Sequence, residues 1–505
     1  MMILTRLHRP ALALLVAISA TVGCSGSTPD EPLPPEAAQT PEETRIPEPP
    51  AEETTQAGDA DRPNIVLIVL DALRADRVEA DRGGTPVMPR LHAFAETSRY
   101  FTRAYAQSTW TKPSMASLFT STYPGVHNVL FGTPMNLVEG QRTTADRLPE
   151  ECETLAETLQ AAGYRTIGVQ TNGNMTRALG MAQGFDVYLE RAYPAWRAKD
   201  VTNQALEQLA AGDEPFLLFL HYMDPHGPYD PPEAHRVAFP DFPAPPEDDL
   251  AVMEDYAFWY NDQVLHDVGL KAERETPDFS PEGEAYVRAL YDGDCRYADA
   301  EVGRLLDAVY AGHPDTVTVI LADHGEELWD HGSIGHGKTV YEELARVPLV
   351  LHVPGVPPER IDSPVELLDV LPTLASIVGI APRPGWQGRN LLAREGLDPD
   401  RAVFTRTWSS LRETGIDLAA VIQGSTKLIY DRAAQTYALY DLDADPLERA
   451  PLEDALRLRR LAALLEAHDA ANAEHPERRQ PQQTELDEEA LRDLEAQGYG
   501  GVRRP

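Results

Sequence analysis

Ile65 to Leu70 reads IVLIVL, and this short run constrains the fold more than any other feature of the chain. Continuous apolar, β-branched sequence of strand length, with no polar alternation, belongs to a parallel strand buried on both faces. Related runs recur at Thr166–Thr171 (TIGVQT), Phe216–Tyr222 (FLLFLHY), Val317–Asp323 (VTVILAD) and Val347–Val353 (VPLVLHV). Helical patterns such as CETLAETLQAAGY and RYADAEVGRLLDAVYAG lie between them. Strand alternating with helix predicts an α/β fold with a mainly parallel sheet covered on both sides. Such sheets bind ligands at the carboxyl ends of their strands. Polar residues gather at those ends: Asp71, then Thr171 with Asn172, His221 with Asp224 and His226, and Asp323 with His324.

The rest of the chain divides around this core. Arg6 and Arg9 precede an apolar run from about Ala11 to Val22 that is too short to span a bilayer comfortably, and the run ends in Val22-Gly23-Cys24. Residues 1–24 resemble a bacterial lipoprotein signal, with Thr21 in place of the usual leucine. This predicts export to the cell envelope and a lipid on Cys24 that anchors the protein to a membrane. Residues 25–62 are rich in Pro, Glu, Thr and Ala and read as an extended tether. A catalytic domain is expected over 63–400, with an insertion at 230–292 rich in Pro, acids and aromatics that suits a lid or a substrate-binding elaboration. Residues 401–505 read as short antiparallel strands followed by a charged helical tail. Three cysteines build no disulfide framework, and the pairing of Cys152 with Cys295 is left open.

The formal net charge of −37 argues against nucleic acid or an anionic surface as a partner. An acidic protein that handles an anionic substrate needs local positive charge, most simply a metal ion. In ADHGEELWDHGSIGHGK, Asp323 and His324 directly follow a buried strand, and a carboxylate beside an imidazole is a ready ligand pair. Asp71 offers a third ligand from another strand end, although a helix cap would explain it equally well taken alone.

Read in order, the motifs NIVLIVLDALRAD, TKPSMASLFTSTYPGVH, GFD, HYMDPHGPY, YADAEVG, ADHGEELWDHG with GHGKTVYEELARVPLVLHVPG, and YALYDLDADPLE resemble the sulfatase family of the alkaline phosphatase superfamily. The resemblance covers about Pro63 to Gly500. It implies an alkaline-phosphatase-like α/β sandwich, a small C-terminal antiparallel subdomain, and a metal-bound nucleophile at a helix N-terminus. Thr111 falls where sulfatases carry the cysteine or serine that becomes formylglycine, within Cys/Ser-x-Pro-x-Arg. Here the five residues are Thr-Lys-Pro-Ser-Met, and a secondary alcohol cannot be oxidised to that aldehyde. Met115 replaces the arginine, Ala72 replaces a second aspartate, and Thr171-Asn172-Gly173 stands where arylsulfatases have a lysine and a histidine.

These departures resemble the threonine-nucleophile branch of lipoteichoic acid synthases and phosphoethanolamine transferases. That resemblance implies one divalent metal ion (Ca²⁺, Mn²⁺, Mg²⁺ or Zn²⁺) on Asp71, Thr111, Asp323 and His324. It implies catalytic roles for Thr111, His226 and His336, while Lys112, Asn172 and Lys338 are candidate contacts to an anionic ester substrate. The multi-span membrane domain of those transferases is absent from the sequence, which favours hydrolysis over transfer. The expected activity is metal-dependent ester hydrolysis, leaning to phosphoesters or phosphonates through a covalent Thr111 intermediate. Sulfate-ester hydrolysis without formylglycine is one alternative, and an anion-binding protein without turnover is another. GFD, YADAEVG and His331 read as structural support, with His127 and Trp110 as possible pocket walls.

Overall fold

The computed structural model describes residues 62–132, 144–210, 215–247, 279–408, 415–487, 490–492, 494 and 497. The expected signal, Cys24, the tether up to residue 61 and residues 248–278 of the insertion lie outside the described residues.

A mixed sheet runs through the molecule in the order Glu359–Ile361, Arg99–Tyr105, Arg346–His352, Val317–Leu321, Ile65–Leu70, Phe216–Tyr222, Arg165–Gln170 and Val187–Glu190. The four strands Val317–Leu321, Ile65–Leu70, Phe216–Tyr222 and Arg165–Gln170 pair in parallel, as does the edge strand Val187–Glu190. All six residues of Ile65–Leu70 are buried, as an unbroken apolar run requires. Arg346–His352 departs from the parallel pattern: it runs antiparallel to both Val317–Leu321 and Arg99–Tyr105.

Helices cover both faces. Phe219 meets Phe119 of helix Thr111–Thr120 edge to face at 5.1 Å. Tyr222, of opposite parity on the same strand, turns its hydroxyl to Thr202 of helix Ala198–Leu209 at 3.0 Å. Alternate residues of a strand point to opposite faces, so these two helices lie on opposite sides of the sheet. Helix Pro281–Gly312 packs beside Ala198–Leu209, and the Ser280 hydroxyl caps its first turn. Residues 281–292, read from sequence as the end of the insertion, are therefore the opening turns of this helix. Among the described residues no helix is long and apolar enough to cross a membrane.

Two family motifs serve this framework. A Cβ on Gly184 of GFD would lie 2.2 Å from Glu157 N, and Asp186 accepts from Thr166 N at 2.8 Å. Asp299 of YADAEVG accepts from Arg90 N and Leu91 N at 2.9 and 2.7 Å, securing the start of helix Pro89–Glu96. Cys152 and Cys295 are buried, separate thiols.

A second, antiparallel sheet follows: Ala402–Trp408, Asp417–Gln423, Thr426–Asp431 and Thr436–Asp441. Helix Ala455–Ala473 lies against it. The tail beyond is not helical throughout, because Gln482–Glu485 pairs antiparallel with Thr144–Arg147 of the larger domain. Lys427 joins the two sheets' territories. Its ammonium, fully buried, stands 3.0 Å from Glu342 and 3.0 Å from Glu448, and Glu342 opens the short helix after the GHGKTVY loop.

Removing one partner of a buried ion network leaves the other charges unpaired, which costs about 3–5 kcal/mol. Lys427→Met should therefore lower stability by about that amount in urea titrations, and wild-type stability would show that this junction contributes little.

Candidate active site

Asp71 follows strand Ile65–Leu70, and the chain then makes a turn that an alanine rarely makes. Ala72 has φ of 57°, in the left-handed region, at a cost of roughly 1–2 kcal/mol. Two contacts hold it there: the Tyr291 hydroxyl donates to Ala72 O at 2.8 Å, and Ala72 N donates to Asp323 Oδ1 at 3.2 Å. The second contact ties one strand end to another. Asp323 also accepts from His324 N at 2.9 Å. After His324 the backbone passes so close to Glu343 that a Cβ on Gly325 would lie 1.9 Å from Glu343 O, which makes glycine necessary at that position.

Ligand atoms of Asp71, Asp323 and His324 fall within 4.8 Å of one another, all fully buried. Asp71 Oδ1 and Asp323 Oδ2 have no hydrogen-bond partner. His324 Nδ1 lies 2.8 Å from Gly325 O, which leaves Nε2 to face the cluster, 3.4 Å from Asp71 Oδ1 and 3.5 Å from Asp323 Oδ2. Burial, with Asp323 as neighbour, raises the Asp71 carboxyl well above its usual range, and burial pushes Asp323 up to about 6. Orphaned carboxylate oxygens and an imidazole lone pair converging on one point are what a divalent cation satisfies, so the residues fit a metal.

Thr111 is the first residue of helix Thr111–Thr120, with Pro113 in its opening turn. The cap position belongs to Trp110, in extended conformation with no side-chain cap bond. Thr111 Oγ1 instead lies 3.3 Å from His324 Nε2 and accepts from Asn172 Nδ2 at 3.3 Å. The same Asn172 amide donates to Asp71 Oδ2 at 2.5 Å. Helix, strand ends and loop thus bring five of the expected site residues together. The helix N-terminus presents backbone N–H groups where an anion would sit.

His226 and His336 stand beside this cluster, with ring centroids 4.7 Å apart, and His336 is 4.4 Å from His324. His226 Nδ1 lies 2.5 Å from Gly227 O, and His336 Nδ1 lies 3.1 Å from Glu326 Oε1. Burial lowers His226, His324 and His336 each to about 3, so all three imidazoles are neutral. Lys338 donates to Ser333 Oγ and, at 2.6 Å, to Ile334 O, and its charge helps to depress His336. Lys112 is fully buried and donates to Asp146 O at 2.9 Å, so its ammonium has a main-chain partner.

Some strand-end residues serve structure. Asp224 accepts from Ala198 N at 2.8 Å and pairs with Arg197. His127 binds Ser117 Oγ at 3.0 Å and accepts from Val129 N, inside the core. His331 stacks on Tyr341 at 3.7 Å and pairs with Glu343. Trp110 packs beside Gly337, the residue after His336.

Glu326 was not singled out by the sequence, and His221 was noted only among the polar residues at the strand ends. His221 Nε2 lies 3.5 Å from Asp71 Oδ2, and neither of its ring nitrogens has a hydrogen-bond partner. Its position near the end of a buried strand, paired with Val69 two residues before Asp71, was the available signal.

A family model described as Sulfatase matches residues 63–380. The chain is 24% identical to the uncharacterized sulfatase YidJ of Escherichia coli over 462 residues, covering 81% of this chain and 86% of that protein. It is 26% identical to a choline-sulfatase of Rhizobium meliloti over 485 residues, covering 83% and 90%. Among solved structures, the phosphonate monoester hydrolase SpPMH from Silicibacter pomeroyi superposes with a TM-score of 0.62 at 22% identity, covering 82% of this chain and 96% of that one.

Removing one ligand should empty the site without unfolding the sheet. Asp323→Ala is expected to lose bound metal and at least about 10²-fold in rate, as loss of a Lewis acid does. Elemental analysis checks this, and full metal content in the variant removes Asp323 from the ligand set.

Proposed function

Because the chain belongs to the Sulfatase family, whose model matches residues 63–380, we propose that this ester hydrolase uses Thr111 itself as its nucleophile, on phosphoesters or phosphonates. The observation that carries the reading is the placement of Thr111 Oγ1, buried at a helix N-terminus and 3.3 Å from both His324 Nε2 and Asn172 Nδ2. The fold is shared with a phosphonate monoester hydrolase and with sulfatases alike, so the choice rests on residues.

Asp71, Asp323, His324 and Thr111 would hold one divalent cation, which lowers the pKa of the hydroxyl and draws charge from the substrate's oxygens. An imidazole among oxygen donors favours Zn²⁺ or Mn²⁺ over the harder Ca²⁺ and Mg²⁺. Asn172 orients Asp71 and Thr111 together through one amide. In the reaction, Thr111 Oγ forms a bond to phosphorus as the ester P–O bond breaks. The proton lost by the hydroxyl is balanced by one gained by the departing alcohol. His226 or His336, neutral at rest, would accept the proton that leaves Thr111 Oγ, and the imidazolium so formed would deliver it to the departing alcohol. Water then cleaves the phosphorylated threonine and restores the hydroxyl. Glu326, held against His336 Nδ1, keeps that ring's Nε2 turned to the substrate.

Direct sulfate-ester hydrolysis is the second reading, favoured by sequence relatives named as sulfatases. Rates on matched aryl phosphate, phosphodiester, phosphonate and sulfate esters separate the two. A protein that binds metal and anion yet turns over none of them would be an anion-binding relative.

The sequence Thr21-Val22-Gly23-Cys24 supports export and lipidation at Cys24. Mass spectrometry of the native protein should show a mature N-terminus at a lipid-modified Cys24, and a mature N-terminus elsewhere rejects the anchor.

Thr111→Ala should lower turnover by at least about 10³-fold while fold and metal persist, because covalent catalysis is lost and packing is not. Thr111→Ser should retain measurable activity, since a primary hydroxyl still binds the metal and attacks. A slow substrate should leave a phosphorylated peptide that maps to Thr111. Near wild-type turnover in Thr111→Ala would end the nucleophile reading.

A further inference from the structure

Asn172 reaches Asp71 and Thr111 from a turn, between strand Arg165–Gln170 and the short turn Gly173–Met175, and a turn needs its own support. Part of that support is local. Gln170 Oε1 accepts from Asn172 N at 2.7 Å, and Asn172 Oδ1 accepts from Asn174 N at 2.7 Å. The remainder comes from more than 300 positions away in the chain. We propose that Gln497, in the C-terminal tail, is a positioning residue for the metal cluster: it clamps the turn Thr171–Gly173 and so fixes the Asn172 amide on Asp71 and Thr111.

The geometry is specific. Gln497 Oε1 accepts from Gly173 N at 2.7 Å, and Gln497 Nε2 donates to Thr171 O at 3.0 Å. One side-chain amide thus takes the main-chain donor on one side of Asn172 and the main-chain acceptor on the other, as a neighbouring strand would. Gln497 is 1% exposed, so both bonds are made away from water, where leaving either main-chain group unpaired is costly. Leu494, also buried, closes the same contact. A Cβ on Gly173 would lie 2.9 Å from Leu494 Cδ2 and 3.2 Å from Gln497 Oε1, so glycine is what lets the tail approach.

The tail touches the site by a second route. Strand Gln482–Glu485 pairs with Thr144–Arg147, and Gln483 Nε2 donates to Asp146 Oδ1 at 3.2 Å. The main-chain oxygen of that same Asp146 receives Lys112. A tail recruited only to cover apolar surface would be served by apolar residues, and a buried glutamine paired on both ends is a registration device.

This inference rests on Asp71 being a metal ligand, and the test separates the two. Mn²⁺ is titrated calorimetrically into metal-free full-length protein, alongside steady-state rates on the best aryl ester. Gln497→Leu should weaken Mn²⁺ binding about tenfold and lower kcat more than KM, as loss of an outer contact to a ligand does. In an Asn172→Ala background, Gln497→Leu should cost nothing further, because the path runs through Asn172. Gln497→Glu keeps the acceptor for Gly173 N–H and loses the donor to Thr171 O, so its affinity should be intermediate. Equal losses with and without Asn172, or wild-type affinity in either Gln497 variant, overturn the proposal. Wild-type affinity in Asp71→Ala overturns the metal site itself, an outcome distinct from the other two.

Discussion

Asp71 and Asp323 present oxygens within 4.8 Å of one another, fully buried, and burial alone makes two such carboxylates mutually unfavourable unless a cation is shared between them. Much of the surrounding architecture is explained by the need to hold that arrangement. The parallel strands deliver both groups to one edge of the sheet. Ala72 accepts a left-handed conformation, stabilised by Tyr291 and by Asp323 itself, so that the chain turns away while the Asp71 carboxylate stays. Gly325 permits the backbone after His324 to pass Glu343. Strain and like charge are placed together where a metal would compensate them, a pattern typical of functional sites.

Much of this was legible in the sequence, and the legible part has a physical signature. Strands buried on both faces leave unbroken apolar runs, so Ile65–Leu70, Phe216–Tyr222 and Val317–Leu321 stood out, and the residues that terminate them were found with them. Arg99–Tyr105 was not recognised. Its sequence RYFTRAY mixes arginine and threonine with aromatics, because Arg99, Thr102 and Arg103 reach a partly exposed margin. The direction of Arg346–His352 was equally hidden, since an apolar run records burial and not polarity of pairing. Asp71, Thr111, Asn172, Asp323 and His324, all named from the sequence, come together in the structure, and each stands at an element's end beside a recognisable motif. Glu326 and Gln497 act through tertiary contacts, and no local pattern marks them, whereas His221 was visible only as one more polar residue at a strand end. Lys112 was flagged for its charge beside Thr111, yet successive helical residues point about 100° apart, and its ammonium meets Asp146.

The C-terminal region has a clearer role than its composition suggested. Lys427 fastens the antiparallel sheet to Glu342, just beyond the loop that carries His336 and Lys338, and the tail returns through Gln482–Glu485 to the turn that carries Asn172. Segments far apart in sequence thus brace the loops around one cluster. Precise geometry at such a cluster depends on bracing of this kind, because the clustered groups, two of them desolvated acids, supply little favourable packing.

Net charge sets the last condition. At −37 the protein's field opposes any anion on approach, and at physiological ionic strength that field fades over about 8 Å. Attraction therefore has to be generated inside the site. Neutral imidazoles at His226, His324 and His336 contribute no charge of their own while the substrate is absent. The cluster of Asp71 and Asp323 is itself negative. A divalent cation on those ligands would reverse that sign beside the Thr111 hydroxyl, with the helix N-terminus adding to the same field. On the proposed reading, the acidic groups that make the metal-free cluster repulsive are the same groups that would recruit the cation, so attraction for an anion and activation of Thr111 would arise in a single event.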